Sequence, residues 1–122
     1  MRTFLAVCAG LLLIGCGGKS TADWLDQLKS KDSARRLHAI KALEGKRSEA
    51  ATVVPALVPL LGDADSFVRR DAAKALGRFG PEARPALPAL RPLLRDRNPG
   101  VRKAATAAVG TIEPVANKAV VR

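Results

Sequence analysis

Aromatic residues are nearly absent. The 122-residue chain has no tyrosine, one tryptophan (Trp24) and three phenylalanines, of which Phe4 sits in an apolar N-terminal run. Ala, Leu and Val must therefore do the packing, and side chains that small favour helices in close approach over sheets. The eight prolines argue the same way, because each would remove a donor from a strand ladder. With no rings interleaved among its basic residues, the surface has nothing on which bases could stack, so nucleic acid is not the expected partner. Both cysteines, Cys8 and Cys16, lie near the N-terminus, which leaves no disulfide framework for the body of the chain. There is a single histidine, His38, and no cluster of His, Cys and acidic residues of the kind that holds a metal. Gly17-Gly18 follows no strand and makes no phosphate-cradling loop. No serine or carboxylate stands in a local motif with His38, whose place in its helix reads as solvated surface. No catalytic constellation, metal or cofactor is expected, and the chain reads as a non-enzyme.

What the chain has instead is an internal echo of 33 residues, without gaps. Leu57-Val58-Pro59-Leu60-Leu61 returns as Leu90-Arg91-Pro92-Leu93-Leu94, Val68-Arg69 as Val101-Arg102, Ala72 as Ala105 and Gly77 as Gly110. Backwards, Leu61 maps to Leu28, Asp65 to Asp32, Arg69 to Arg36 and Ala75-Leu76 to Ala42-Leu43. A fixed period of this length specifies a stack of like supersecondary units rather than one irregular globule.

Within residues 53–80, Val54, Leu57, Leu60 and Leu61 follow the spacing of a buried helical stripe. Pro55 suits a first helical turn, and Pro59, repeated as Pro92, should bend the first helix or leave its start as a loose turn. Asp65 is placed to cap a second helix beginning at Ser66, as Asn98 is before Pro99. In that second helix Val68, Ala72, Ala75, Leu76 and Phe79 form the apolar stripe, matched by Val101, Ala105, Ala108, Val109 and Ile112. Gly77 and Gly80 loosen the exit and Pro81 forbids continuation. Each unit is thus two antiparallel helices.

The run Pro-Ala-Leu-x-Pro-Leu-Leu-x-Asp-x-x-x-x-Val-Arg-x-x-Ala-x-x-Ala-Leu-Gly closely resembles the HEAT repeat, strongly at residues 55–77 and 88–110. Residues 22–44 match more weakly, with Trp24 for Leu57, Gln27 for Leu60, Ser30 for Asp63 and Arg35 for Val68. The resemblance implies an all-α superhelix (solenoid) of about three helical hairpins, at about 22–47, 53–80 and 86–113, forming a repeat domain over 23–113. It also implies a structural ladder of charge-assisted hydrogen bonds between stacked units, carried by Arg36, Asp63, Arg69, Asp96 and Arg102. Ser30 breaks the aspartate series. Residues 114–122 align with the start of a fourth unit, as a small cap or partial repeat; otherwise the last hairpin offers an open apolar edge to another chain, and the cap is the favoured reading.

At the N-terminus, Arg2 precedes an apolar run from Phe4 to Ile14, too short to span a bilayer, which needs about 20 such residues. The run closes on Leu13-Ile14-Gly15-Cys16, which resembles the lipobox of bacterial lipoproteins. The resemblance implies removal of residues 1–15, thioether lipidation and acylation at Cys16, and a lipidated tether over 16–22. The competing reading is an ordinary secretory signal with an incidental cysteine. Gly17 after the cysteine resembles the outer-membrane sorting rule, so a cell-envelope lipoprotein is expected, on the periplasmic face of the outer membrane if the source is a diderm bacterium.

Charge is uneven along the solenoid. Residues 17–66 hold 8 Lys/Arg against 7 Asp/Glu, whereas residues 67–122 hold 12 against 4, so the basic excess belongs to the second half. Lys41, Arg70, Lys74 and Lys103 fall on one strip of the second helices, which line the concave surface in the resembled family. They are the candidate partner-binding residues, with a merely solvated helix face as the alternative. Arg91, Arg95 and Arg97 fall on the other side. The expected function is a membrane-anchored, non-catalytic scaffold for an unknown and possibly acidic protein partner. A basic element resting on anionic lipid or envelope polymer is the alternative. A lyase-like accessory subunit ranks last, because the chain is short for that role; the oligomeric state and the partner's identity are left open.

Overall fold

The computed structural model describes residues 18–114. The residues read as a signal peptide, Cys16 and residues 115–122 lie outside the described residues. The described part is built from α1 (Thr21–Gln27), α2 (Ser33–Leu43), α3 (Ala50–Leu57), α4 (Ser66–Phe79), α5 (Leu87–Leu90) and α6 (Pro99–Ile112), and no strand occurs among the described residues. The helices pair as α1/α2, α3/α4 and α5/α6, so the protein is an all-α solenoid of three hairpins. The first helix begins within the stretch read as a tether: Ser20 caps it, its hydroxyl accepting from the Asp23 amide while Asp23 takes the Ser20 amide in return.

Each second helix starts on one column of the repeat. Asp32, Asp65 and Asn98 accept from the amides of Ala34, Phe67 and Gly100 at 3.0, 2.7 and 2.8 Å, satisfying donors that the first turn leaves unpaired. The first helices are less regular. Pro55 sits inside α3 rather than in its first turn, on an exposed face where the carbonyl it leaves unbonded meets water. From Pro59 onward the chain tightens into a 3-10 segment, Val58–Gly62. In unit three an additional proline, Pro85 where unit two has Thr52, shortens the α-helical part to Leu87–Leu90 between 3-10 segments Gly80–Ala86 and Arg91–Arg95.

The core runs continuously through the units and is made of small and branched residues. Val68, Ala72, Ala75, Leu76 and Phe79 are fully buried, as are Val101, Ala105 and Ile112. Val109 is only partly buried, in the column where unit two has the fully buried Leu76. In unit one Trp24, with Leu25 and Leu37, packs partly buried against the core, and Trp24 stacks on His38 with ring centroids 5.1 Å apart. His38 is exposed, with one ring face against Trp24 and no metal-binding group of acids or thiols around it among the described residues.

Gly77 corrects the sequence reading. It does not loosen the end of α4 but lies buried inside it, where an added Cβ would come 3.1 Å from Ala108 Cα and 3.2 Å from Ala108 Cβ. This is where α4 and α6 approach closely, and the missing side chain is what permits it. Gly80, at φ +61, is the residue that ends the helix in a backbone conformation favouring glycine. Gly110, one period after Gly77, has nothing within 4 Å of its would-be Cβ. The same substitution should therefore act oppositely in one column. Gly110→Ala should leave stability unchanged or raise it by up to about 1 kcal/mol through helix propensity. Gly77→Ala should lower it, because the obstacle is backbone. Thermal unfolding followed by circular dichroism checks both, and equal shifts would contradict the close approach.

Candidate functional site: an arginine ladder and a groove between the second helices

The first repeated constellation joins the units. Arg69 on α4 donates from Nε and Nη2 to the two carboxylate oxygens of Asp96 at 2.9 and 3.2 Å, and from Nη1 to the Asp63 and Ala64 carbonyls at 2.7 and 3.2 Å. Arg36 repeats the pattern one unit earlier. Its Nη2 donates to Asp63 Oδ1 at 2.9 Å and its Nη1 to the Ser30 carbonyl at 2.6 Å. Its Nε lies 2.8 Å from Asp63 Oδ2 as a charge contact without the alignment of a directed hydrogen bond. A planar guanidinium is the one side chain whose fixed fork can hold its own loop and the next unit's carboxylate together. Asp63 and Asp96 are engaged twice, since each Oδ1 also accepts a backbone amide two residues on, Asp65 or Asn98, at 2.9 Å.

Both ends of the ladder differ from its middle. Ser30 keeps the local half of the aspartate's work, its hydroxyl accepting from the Asp32 amide at 3.1 Å, but it meets no arginine from an earlier unit. Arg102 keeps the local half of the arginine's work, donating from Nη1 to the Asp96 and Arg97 carbonyls at 2.7 and 3.2 Å, and has no carboxylate partner among the described residues. The carbonyl half of each rung was missed in the sequence, although the constant six-residue spacing from Ser30, Asp63 and Asp96 to the arginines was there to be read.

The second constellation is a groove of about 420 Å³ flanked by α2, α4 and α6. Its floor is apolar, with buried Ile40, Gly77 and Ala108, and its rim carries Lys41, Lys74, Glu44, Asp71 and Arg78 with exposed Ala107 and Thr111. Arg78 is held by Glu44 at 3.3 Å. Lys41 and Lys74 are exposed and form no ion pair among the described residues, so theirs are the charges left for an occupant. Of the four strip residues, the fold brings these two into the groove and leaves the others out. Arg70 is occupied by Asp71 at 2.9 Å and lies 5.2 Å over the Phe67 ring, while Lys103 is exposed away from the groove lining. Arg91 pairs with Glu113 at 3.1 Å, Arg95 is exposed, and Arg97, also exposed, lines a crevice between units two and three with Asp63, Arg69 and Asp96.

The sequence model of the HEAT repeats family matches residues 21–110. The chain belongs to the HEAT-repeat family. Among solved structures, this HEAT solenoid is similar to a chain in the complex of CpcE and CpcF of phycocyanin lyase from a Nostoc species, at 30% identity and a TM-score of 0.71. The match covers 80% of this chain but 38% of that one, so the HEAT solenoid described here spans well under half of its neighbour's length. No curated protein matches. No described helix is long and apolar enough to cross a membrane.

The ladder sets the response to acid. The Asp96 carboxyl is held below the usual carboxylate range, chiefly by the Arg69 hydrogen bonds, against the opposing pull of burial. A carboxyl with a depressed folded-state pKa contributes stability that is present above its unfolded value, near 4, and lost as pH falls through the folded value. Unfolding by acid should therefore steepen below about pH 4, and Asp96→Asn should be less stable at neutral pH with a shallower acid slope. Arg69→Gln should cost roughly 1.5–3 kcal/mol. Arg102→Gln, which breaks no described ion pair, should cost under about 1 kcal/mol. Urea denaturation of the two variants side by side checks the contrast.

Proposed function

We propose that this HEAT-repeat protein is a non-catalytic interaction scaffold that takes a carboxylate-bearing protein segment into the groove between its second helices. The observation that carries the reading is the groove itself. Lys41 and Lys74, with no ion pair among the described residues, stand beside a floor of Ile40, Gly77 and Ala108, a combination that offers an extended segment apolar contact and two anchoring charges. The mixed signs along the walls, with Asp71 and Glu44 facing the lysines' side, suit a protein segment better than a uniformly anionic polymer. The scaffold is held at the cell envelope by lipid on Cys16, a proposal supported by the Leu13-Ile14-Gly15-Cys16 sequence closing a short apolar core. One acyl chain holds only marginally and several hold durably, each buried methylene contributing about 0.8 kcal/mol.

A second reading, a subunit of a lyase-like assembly, is favoured by the 30% identity to the CpcE–CpcF chain. It calls for co-purification with a second subunit and for a lyase activity of the resulting complex, neither of which the scaffold reading needs. Two experiments test the principal reading. A photo-reactive residue in place of Ala107, exposed on the groove rim, should cross-link a partner in the native envelope. Lys41→Glu with Lys74→Glu should lower that yield at least about tenfold, the value of one to two charge-assisted contacts. High salt should weaken capture only in part, because the floor is apolar, whereas complete collapse at high ionic strength favours simple adsorption to an anionic surface. Undiminished capture by the double variant rules the groove out. For the anchor, fatty-acid label should enter the wild type and be lost from Cys16→Ser.

A further inference from the structure

The most exposed large apolar side chain among the described residues stands just beyond the groove, on the helix that forms its spine. Phe67, in the first turn of α4, is 57% exposed. Phe67, Asp71, Lys74 and Arg78 recur along α4 at helical spacing and so share one face, and the last three line the groove. The ring therefore extends the groove toward the N-terminal end of α4. The units on either side leave it room, because one period before and after it the second helices carry only Ala34 and Gly100. Both of those flanking positions are described, so the opening is bordered by structure on each side.

Arg70 steadies the ring and quiets the acid beside it. Its guanidinium lies 5.2 Å from the Phe67 ring centroid, and its Nε donates to Asp71 at 2.9 Å. One face of the ring is thus buttressed, and the carboxylate between Phe67 and Lys74 is offset by its own neighbour. An aromatic ring beside an arginine is the composition of a binding hot spot. We infer that Phe67 is the apolar anchor of the groove, and that the occupant is an extended protein segment carrying a large apolar side chain three residues from its carboxylate. The inference rests on the scaffold reading and gives its occupant a sequence signature. Charge complementarity orders the contacts: the carboxylate goes to Lys41 and Lys74, which have no ion pair among the described residues, and the apolar side chain goes to the ring. The spacing follows from two rises. From Phe67 to Lys74 the helix advances about 10 Å. A polyproline-type segment advances about 3.1 Å per residue and returns to the same side every third residue, after about 9 Å. A β-type segment returns to the same side after roughly 7 or 13 Å and fits less well.

A random library of short synthetic peptides, selected on the full chain, is the probe. Enriched sequences should pair Asp or Glu with a large apolar residue three positions away, in either order. For the best of them Phe67→Ser should lower affinity about tenfold, as should serine at the peptide's apolar position. The two changes together should cost no more than either alone, since each removes the same contact. Lys41→Glu with Lys74→Glu should abolish the binding that Phe67→Ser leaves. Circular dichroism matching the wild type shows that the variants, all at exposed positions, fold. Peptides that need the lysines but ignore Phe67→Ser, or that carry no apolar residue at this spacing, overturn the anchor and leave the groove reading standing. Peptides indifferent to the lysine pair, or no enrichment, overturn both. Displacement of the selected peptide by phosphatidylglycerol vesicles, or by a synthetic peptide of residues 1–15, assigns the ring to lipid or to the apolar N-terminal run and likewise overturns the anchor.

Discussion

Everything in the stack hangs on one guanidinium doing two jobs. In Arg69 a single planar fork ties down the turn of its own unit through the Asp63 carbonyl and grips the Asp96 carboxylate of the next. Local geometry and unit-to-unit register are thereby one interaction. Hydrophobic burial of Leu, Val and Ala is non-directional, and a surface of such small side chains would permit neighbouring hairpins to slide. The ladder and the Gly77–Ala108 approach forbid it, one by directed charge and the other by shape. The groove between the second helices follows, since its width is the spacing that those two constraints impose.

The hairpins, the caps at Asp32, Asp65 and Asn98, and the arginine and aspartate columns are legible in the 33-residue repeat, because each depends on local spacing alone. What stays hidden depends on neighbours. Gly77 and Gly110 occupy one column of the repeat, yet one is a close contact and the other meets nothing among the described residues, because only the first has a described later unit packed against it. Arg70 and Lys74 form one strip in sequence, but Asp71 and Phe67 claim the arginine and leave the lysine for the groove. The column of His38, Asp71 and Ala104 runs from exposed to buried, which no single period predicts. The positions of the prolines are plain in the chain and their effect is not, since Pro85 is what reduces the third unit's first helix to four residues.

The prolines of the first helices have an energetic side as well. Pro55, Pro59, Pro85, Pro88 and Pro92 remove internal hydrogen bonds and break the outer layer into short 3-10 and α segments, which should make it the weak layer. Each also restricts the backbone of the unfolded chain, so less disorder is given up when that layer forms. The outer layer still sends Val53, Leu57, Leu90 and Leu93 into the core, so burial holds it as it holds the inner layer. What the prolines add is a smaller share drawn from the other end of the folding equilibrium, the freedom that the denatured chain never had.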